Sequence, residues 1–188
     1  MQTRWSRLTL TLILTSALAA CATMRPEECM VADWYLIGEM DAREGRTPAH
    51  LANRAKDCSE AGYPADEASW YAGWEEGLLH FCTRERGYRF GLDGQRYEST
   101  CPGALEPDFL FGYELGRQTH AADGEVERLR RRLDEADRQL RKGLEDDSLD
   151  REALDQLRRE QHRASRELRA AELERAELIG RAAGHGLR

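Results

Sequence analysis

The sequence predicts a mainly α protein: a small disulfide-stapled helical domain with three glycine-containing repeat helices and a minor β-hairpin, followed by a C-terminal helical hairpin of antiparallel coiled-coil type. Three observations predict this. Four cysteines, Cys29, Cys58, Cys82 and Cys101, follow a secretion-type leader. An aromatic-and-glycine pattern recurs three times between residues 35 and 116, and the last 66 residues carry a charged heptad pattern.

The leader comes first. Arg4 and Arg7 precede an apolar run from Leu8 to Ala20 that is interrupted only by Thr and Ser, the layout of a cleavable secretory signal. The run is shorter than the roughly 20 apolar residues of a membrane span and ends in small residues before a cysteine. Leu18-Ala19-Ala20-Cys21 resembles the bacterial lipobox, in which the thiol accepts diacylglycerol. The expectation is a signal at 1–20 and a membrane anchor at Cys21, since two or three acyl chains at about 0.8 kcal/mol per buried methylene hold a protein stably. Ala22, rather than Asp, after the cysteine points to the periplasmic face of the outer membrane.

The 168 residues from Cys21 suffice for one modest domain, expected at 21–122, and an appendage at 123–188. Residues 22–122 hold 18 acidic and 10 basic side chains, whereas 123–188 hold 17 and 16. An acidic domain lacks the basic face that phosphate binding needs, so neither nucleic acid nor anionic lipid is an expected partner.

In an oxidising compartment four cysteines read as two disulfides, for which three connectivities exist. Sequential pairing, Cys29 with Cys58 and Cys82 with Cys101, is favoured because it staples each segment to its neighbour. Each bridge would contribute roughly 3 kcal/mol on the chain-entropy model. A metal site using His80 beside Cys82 finds no Cys-x-x-Cys or His-x-x-x-His spacing to support it, so neither metal nor cofactor is expected.

The repeats are Tyr35 to Ala42, Trp70 to Gly77 and Phe109 to Gly116. Each has an aromatic, a glycine three residues on (Gly38, Gly73, Gly112), and a small residue four further (Ala42, Gly77, Gly116). On a helix these positions share one face, so each segment presents an aromatic above two small residues. Glycine inside a helix costs about 1 kcal/mol against alanine, and close helix approach must offset that cost. Asp33, Asp66 and Pro107-Asp108 are suited to cap the three helices. Between the second and third repeats, alternating aromatics around Asp93-Gly94 in residues 87–97 suggest a β-hairpin.

These features resemble an uncharacterised family of proteobacterial lipoproteins, domain of unknown function 2799 (DUF2799). The residues that carry the resemblance are the lipobox at Cys21; Asp33-Trp34-Tyr35 with Gly38 and Asp41; Tyr71-Ala72-Gly73 with Glu76-Gly77; the Phe81-Cys82 to Cys101-Pro102 loop; and Phe109 to Gly116. Ala42 and Glu76 stand where the family pattern would place glycine and aspartate. The resemblance covers nearly all of residues 21–120 and implies an address and an architecture, with no activity to carry over.

In the C-terminal arm, Val126, Leu129, Leu133, Ala136, Leu140 and Gly143 step by three and four, as do Leu154, Leu157, Gln161, Ala164, Leu168, Ala171, Arg175 and Leu178. Helices are expected near 123–144 and 149–182, the second capped by Asp147 or Ser148. A single-chain hairpin is preferred over pairing with another chain, and the arm is expected to be separable from the domain before it.

For function, the candidate acids and bases are Asp41, Glu75, Glu76 and Glu114 with His50, His80 and His120. None falls in a catalytic motif, and an enzyme is not expected. Trp34, Tyr35, Trp70, Trp74 and Tyr113 could form an aromatic platform for glycan or peptide, or else the core of a leucine-poor bundle. The preferred reading is a non-enzymatic interaction or scaffold protein, held to the membrane by its lipid and reaching an envelope partner through the C-terminal helices.

Overall fold

The computed structural model describes residues 23–145 and 150–188. The leader, Cys21, Ala22 and the Asp147 and Ser148 caps lie outside the described residues. The described helices are α1 (Pro26–Met30), α2 (Trp34–Arg43), α3 (Ala49–Glu60), α4 (Glu67–Phe81), α5 (Arg84–Leu92), α6 (Glu106–Glu145) and α7 (Arg151–Gly184). No strand occurs among the described residues. The chain forms two compact units, the first ending at Leu78 and the second running from Leu79 to Arg188.

In the first unit α2 and α4 cross at backbone contact. Their starts are fixed as the sequence suggested: Asp33 accepts from the Leu36 amide at 3.0 Å, and Asp66 accepts from the Ser69 amide at 3.0 Å and its hydroxyl at 2.7 Å. A Cβ on Gly38 would collide with the Trp70 carbonyl, one on Gly73 with the Tyr35 carbonyl, and one on Gly77 with the Glu39 carbonyl and Ala42 Cβ. Those obstacles are backbone atoms that no rotamer change can move, so the glycines are required by the crossing. The short helices α1 and α3 close the unit over a core of Cys29, Trp34, Leu51, Cys58 and Trp70. Cys29 and Cys58 are bonded to each other there, with Cα atoms 5.3 Å apart.

The second unit corrects the expected β-hairpin. Residues 84–92 are helix α5, capped by the Thr83 hydroxyl, which accepts from the Arg86 amide at 3.2 Å. Gly87 and Gly91, four residues apart, face α6: added Cβ atoms would strike the carbonyls of Phe109 and Tyr113, while Gly112 and Gly116 would strike those of Arg84 and Tyr88. The alternation of Tyr88 and Phe90 that suggests a strand has a helical cause. Residues two apart on a helix diverge by roughly 200°, and here each meets its own cluster. Tyr88 packs with Leu115, Leu178, Ala182 and Leu187, and Phe90 lies within 5.3 Å of Phe81 and 6.1 Å of Phe109 by ring centroid. Asp93-Gly94 ends that helix, with Gly94 at φ +68°. Cys82 and Cys101 form the second bridge, Cα atoms 5.6 Å apart.

The three expected repeats therefore pack as halves of two pairs, the segment at 35–42 with 70–77 and the segment at 109–116 with α5. α6 continues without interruption across residue 122, where the sequence suggested a boundary, to Glu145. α7 returns antiparallel to it. Arg175 pairs with Asp123, Arg130 with Glu172 at 3.2 Å, and Arg132 with Glu167 and Glu160, each at 2.6 Å, so partner numbers fall on α7 as they rise on α6. Val126, Leu129, Ala136 and Gly143 are buried against a seam holding Ala164, Ala171 and Leu178, as the heptad positions predict. Asp150 caps α7 by accepting from the Ala153 amide at 2.8 Å. The end of α7 differs from the expectation of a separable arm, because Leu178, Ala182 and Leu187 complete the core around Tyr88 and Leu115.

The two units contain the same construction. At one constant offset Gly38 matches Gly87, Ala42 matches Gly91, and Arg46 matches Gln95; at a second offset Gly73 matches Gly112 and Gly77 matches Gly116. Gly45 and Gly94, also matched, both have positive φ, at +79° and +68°. The next amide, Arg46 or Gln95, closes each turn onto the carbonyl of Asp41 or Phe90 at 2.9 and 3.1 Å. The carbonyls of Arg46 and Gln95 themselves receive matched donors from the second helix, the Trp74 indole to Arg46 O at 2.9 Å and the Tyr113 hydroxyl to Gln95 O at 3.1 Å. In each copy the disulfide joins the chain ahead of the first crossing helix to the chain ahead of the second.

Candidate functional site

The position matched by Asp41 and Phe90 is where the two copies part. α2 buries Trp34, Gly38, Asp41 and Ala42, one stripe at helical spacing, so an aspartate occupies a core position at 2% exposure. Such a charge is stable only when paired and hydrogen-bonded. Asp41 Oδ2 accepts from Arg54 Nη1 on α3 at 2.7 Å and from the buried Trp70 indole on α4 at 3.1 Å, and Arg46 Nη1 stands 3.7 Å from Oδ1. Arg46 also reaches Glu44 at 2.6 Å. The carboxylate thus ties three helices together, with two donors on Oδ2 and the Arg46 guanidinium facing Oδ1 at ion-pair distance.

A groove of about 220 Å³ opens at this cluster, and Thr23, Met24, Glu28, Ile37, Met40 and Glu44 line it together with Asp41 and its two arginines. The start of the described chain is fastened at its edge. The Thr23 amide and hydroxyl donate to Asp57 Oδ2 at 2.6 and 2.7 Å, and the Met24 amide donates to the same oxygen at 3.3 Å. The Thr23 hydroxyl, followed by the Thr23 amide, holds the Asp57 carboxyl below the usual carboxylate range.

The five aromatics named from sequence are distributed as follows. Trp34 and Trp70 are buried in the first core. Trp74 is half-buried and stacks on Trp70 with ring centroids 6.0 Å apart. Tyr35 is exposed, and Tyr113 belongs to the second unit's cluster with Phe109 and Tyr97. Of the acids and histidines, Glu75, Glu76, Glu114, His80 and His120 are exposed and His50 is half-buried. Glu114 pairs with Arg117 at 3.2 Å, and His120 Nδ1 meets the Leu92 carbonyl at 2.9 Å near the end of α5. No group of three or more His, Cys, Asp or Glu arranged to hold a metal occurs among the described residues, nor does a helix long and apolar enough to cross a membrane.

Sequence reasoning missed Arg54 as the partner of Asp41, and Asp57 as the fastener of Thr23. A signal for the first was present, since Asp41 interrupts an otherwise apolar stripe of Trp34, Gly38 and Ala42 and so demands a cation nearby. The contact between Asp57 and Thr23 spans 34 residues and leaves no local trace.

Residues 33–118 match the model of the family described as Protein of unknown function (DUF2799). No curated protein and no solved structure matches the chain.

Proposed function

Starting from the premise that residues 33–118 belong to the DUF2799 family, whose function is unknown, we propose that this protein is a lipid-anchored envelope lipoprotein acting as a non-enzymatic scaffold. Cys21 carries the lipid at the periplasmic face of the outer membrane, and the C-terminal helices receive an envelope protein. The observation that supports a partner-receiving role is a groove of about 480 Å³ between α6 and α7. Ala121, Ala122 and Leu178 line it together with Glu125, Glu174, Glu177 and Arg181. Small side chains admit another helix closely, and three glutamates against one arginine suit a basic segment.

Fractionation and crosslinking in intact cells test the proposal together. Wild-type protein should sediment with the outer membrane, and Cys21→Ala should move to the soluble or inner-membrane fraction. A photo-crosslinker at Ala121 should capture a discrete partner, and Glu174→Arg with Glu177→Arg should abolish the capture. Outer-membrane sedimentation of Cys21→Ala would remove the lipid anchor from the proposal, and capture unaffected by the charge reversal would remove the groove.

A further inference from the structure

The fastening of Thr23 sets how far the folded body can stand from its anchor. Thr23 and Met24 donate three hydrogen bonds to Asp57, and Met24 packs against the first core. Thr23, two residues after Cys21, is therefore already held to the folded body. Two extended residues span at most about 7 Å, about the depth of one headgroup layer at roughly 5–7 Å, so a lipid on Cys21 brings the surface around Thr23 onto the bilayer.

That surface is apolar where it borders α2. Met40 lines the same groove as Thr23 and Met24, and it is 52% exposed. Leu36, one helical turn earlier on the same stripe, is 48% exposed. We infer that the Leu36 and Met40 stripe of α2, beside the Thr23 entry point, is a seat on the phospholipid bilayer at the boundary between headgroups and acyl chains. The inference rests on the lipidation of Cys21 proposed above. A helix face lying in that boundary is buried some 5–10 Å, enough to cover two side chains that water otherwise reaches.

The test uses residues 21–188 with both disulfides intact and the Cys21 thiol coupled to a maleimide-headgroup phospholipid in zwitterionic vesicles of phosphatidylcholine and phosphatidylethanolamine. The reference is the same chain with Cys21 capped by N-ethylmaleimide in buffer. Hydroxyl-radical footprinting read by mass spectrometry should show modification of Met40 and Leu36 falling by at least about threefold on vesicles, as burial in the interface requires. Leu173 on α7, 73% exposed, should be modified equally in both states. Equal modification of Met40 in both states overturns the seat. In Leu36→Glu, Met40 should return to its level in buffer; continued shielding would assign the protection to crowding by the tether and also overturn it. The mass of the Cys21 peptide from cells reports natural lipidation separately, so failure of the lipoprotein proposal and failure of the seat are read from different measurements.

Discussion

The same glycine-lined helix crossing is built twice in this chain, and the two copies are finished differently. In the first, α1 and α3 cover the crossing of α2 and α4, and the position after the glycine contact holds Asp41, paired with Arg54 and the Trp70 indole. In the second, the end of α7 covers the crossing of α5 and α6, and the matched position holds Phe90 against Phe81 and Phe109. The constant part is what backbone contact demands: glycine or alanine at four facing positions, a positive-φ glycine after the first helix, and a bridge ahead of both helices. Because Phe90 fills its site in an identical frame, the frame does not need a charge there. Asp41 is a property of the first unit alone, beside the groove where the described chain begins.

The covering elements give the largest expected difference. Ending the chain at Glu145 removes Leu178, Ala182 and Leu187 from the second core. Burial of two leucines at roughly 1.5–3 kcal/mol each predicts a loss on the order of 4 kcal/mol. Amide exchange should accelerate throughout α5 and the first turns of α6, and much less in α2 and α3. Equal acceleration in both units would mean that they unfold as one.

Next in size is the exchange of interiors at the matched position. Phe90 is half-buried, so Phe90→Asp leaves a partly desolvated, unpaired carboxylate among aromatics and should cost about 3 kcal/mol. Asp41→Leu leaves Arg54 without its partner and should cost about 3 kcal/mol, whereas Asp41→Leu with Arg54→Leu should recover most of that, as apolar replacements of buried ion pairs do. Urea unfolding of the three variants measures this. A double variant no better than Asp41→Leu would show that the Trp70 indole, and not Arg54, is the group left in need.

The glycines test the constant part. Gly73→Ala and Gly112→Ala should each cost about 1–3 kcal/mol, because the added Cβ meets a backbone carbonyl, of Tyr35 and Arg84 respectively. Gly180→Ala should gain about 0.5–1 kcal/mol, since nothing lies within 4 Å of the new Cβ and only helix propensity changes. A gain at Gly73 or Gly112 in thermal unfolding would refute the crossing.

The legibility of these features in the sequence follows their range. Caps at Asp33 and Asp66, the arm's heptads and the sequential disulfides depend on residues near one another or on few alternatives, and the structure contains them. Residues 87–97 read as a hairpin because Tyr88 and Phe90 mimic a strand's alternation, although Gly87 and Gly91 carry the four-residue spacing of the other glycine pairs. The same mimicry hides the pairing of helices two by two, since α5, the partner of Phe109 to Gly116, falls largely within that stretch. Asp41 is visible as an acid, but its partner Arg54 lies on α3, a helix with weak sequence signals. The docking of Leu187 beside Tyr88 joins segments 99 residues apart, and no local pattern announces it.

The smallest expected difference separates the two units by pH. At the edge of the first, Asp57 is held below its ordinary carboxylate range by the Thr23 hydroxyl and amide. A lowered carboxyl adds stability above its unfolded pKa of about 4, and that contribution is lost as pH falls through the folded value. In the second, the Tyr97 hydroxyl donates to Glu106 at 3.0 Å and accepts from the Cys101 amide at 2.9 Å. Burial, with the Glu106 carboxylate adding to it, pushes the Tyr97 phenol up to about 12. A raised phenol contributes stability that is complete below its unfolded pKa of about 10 and is lost as pH rises from there through the folded value near 12. Acid should therefore loosen the Thr23 fastening, as it should the lowered carboxyls of Glu114, Glu125 and Glu160 in the second unit, whereas alkali should loosen the Cys101 turn. In a titration followed at the phenolate absorbance, wild type should show one more late-ionising tyrosine than Tyr97→Phe. In the same variant the alkaline fall in stability between about pH 10 and 12 should shrink while the acid limb stays unchanged. An acid limb that moved with Tyr97→Phe would couple the two units through a path other than these local hydrogen bonds.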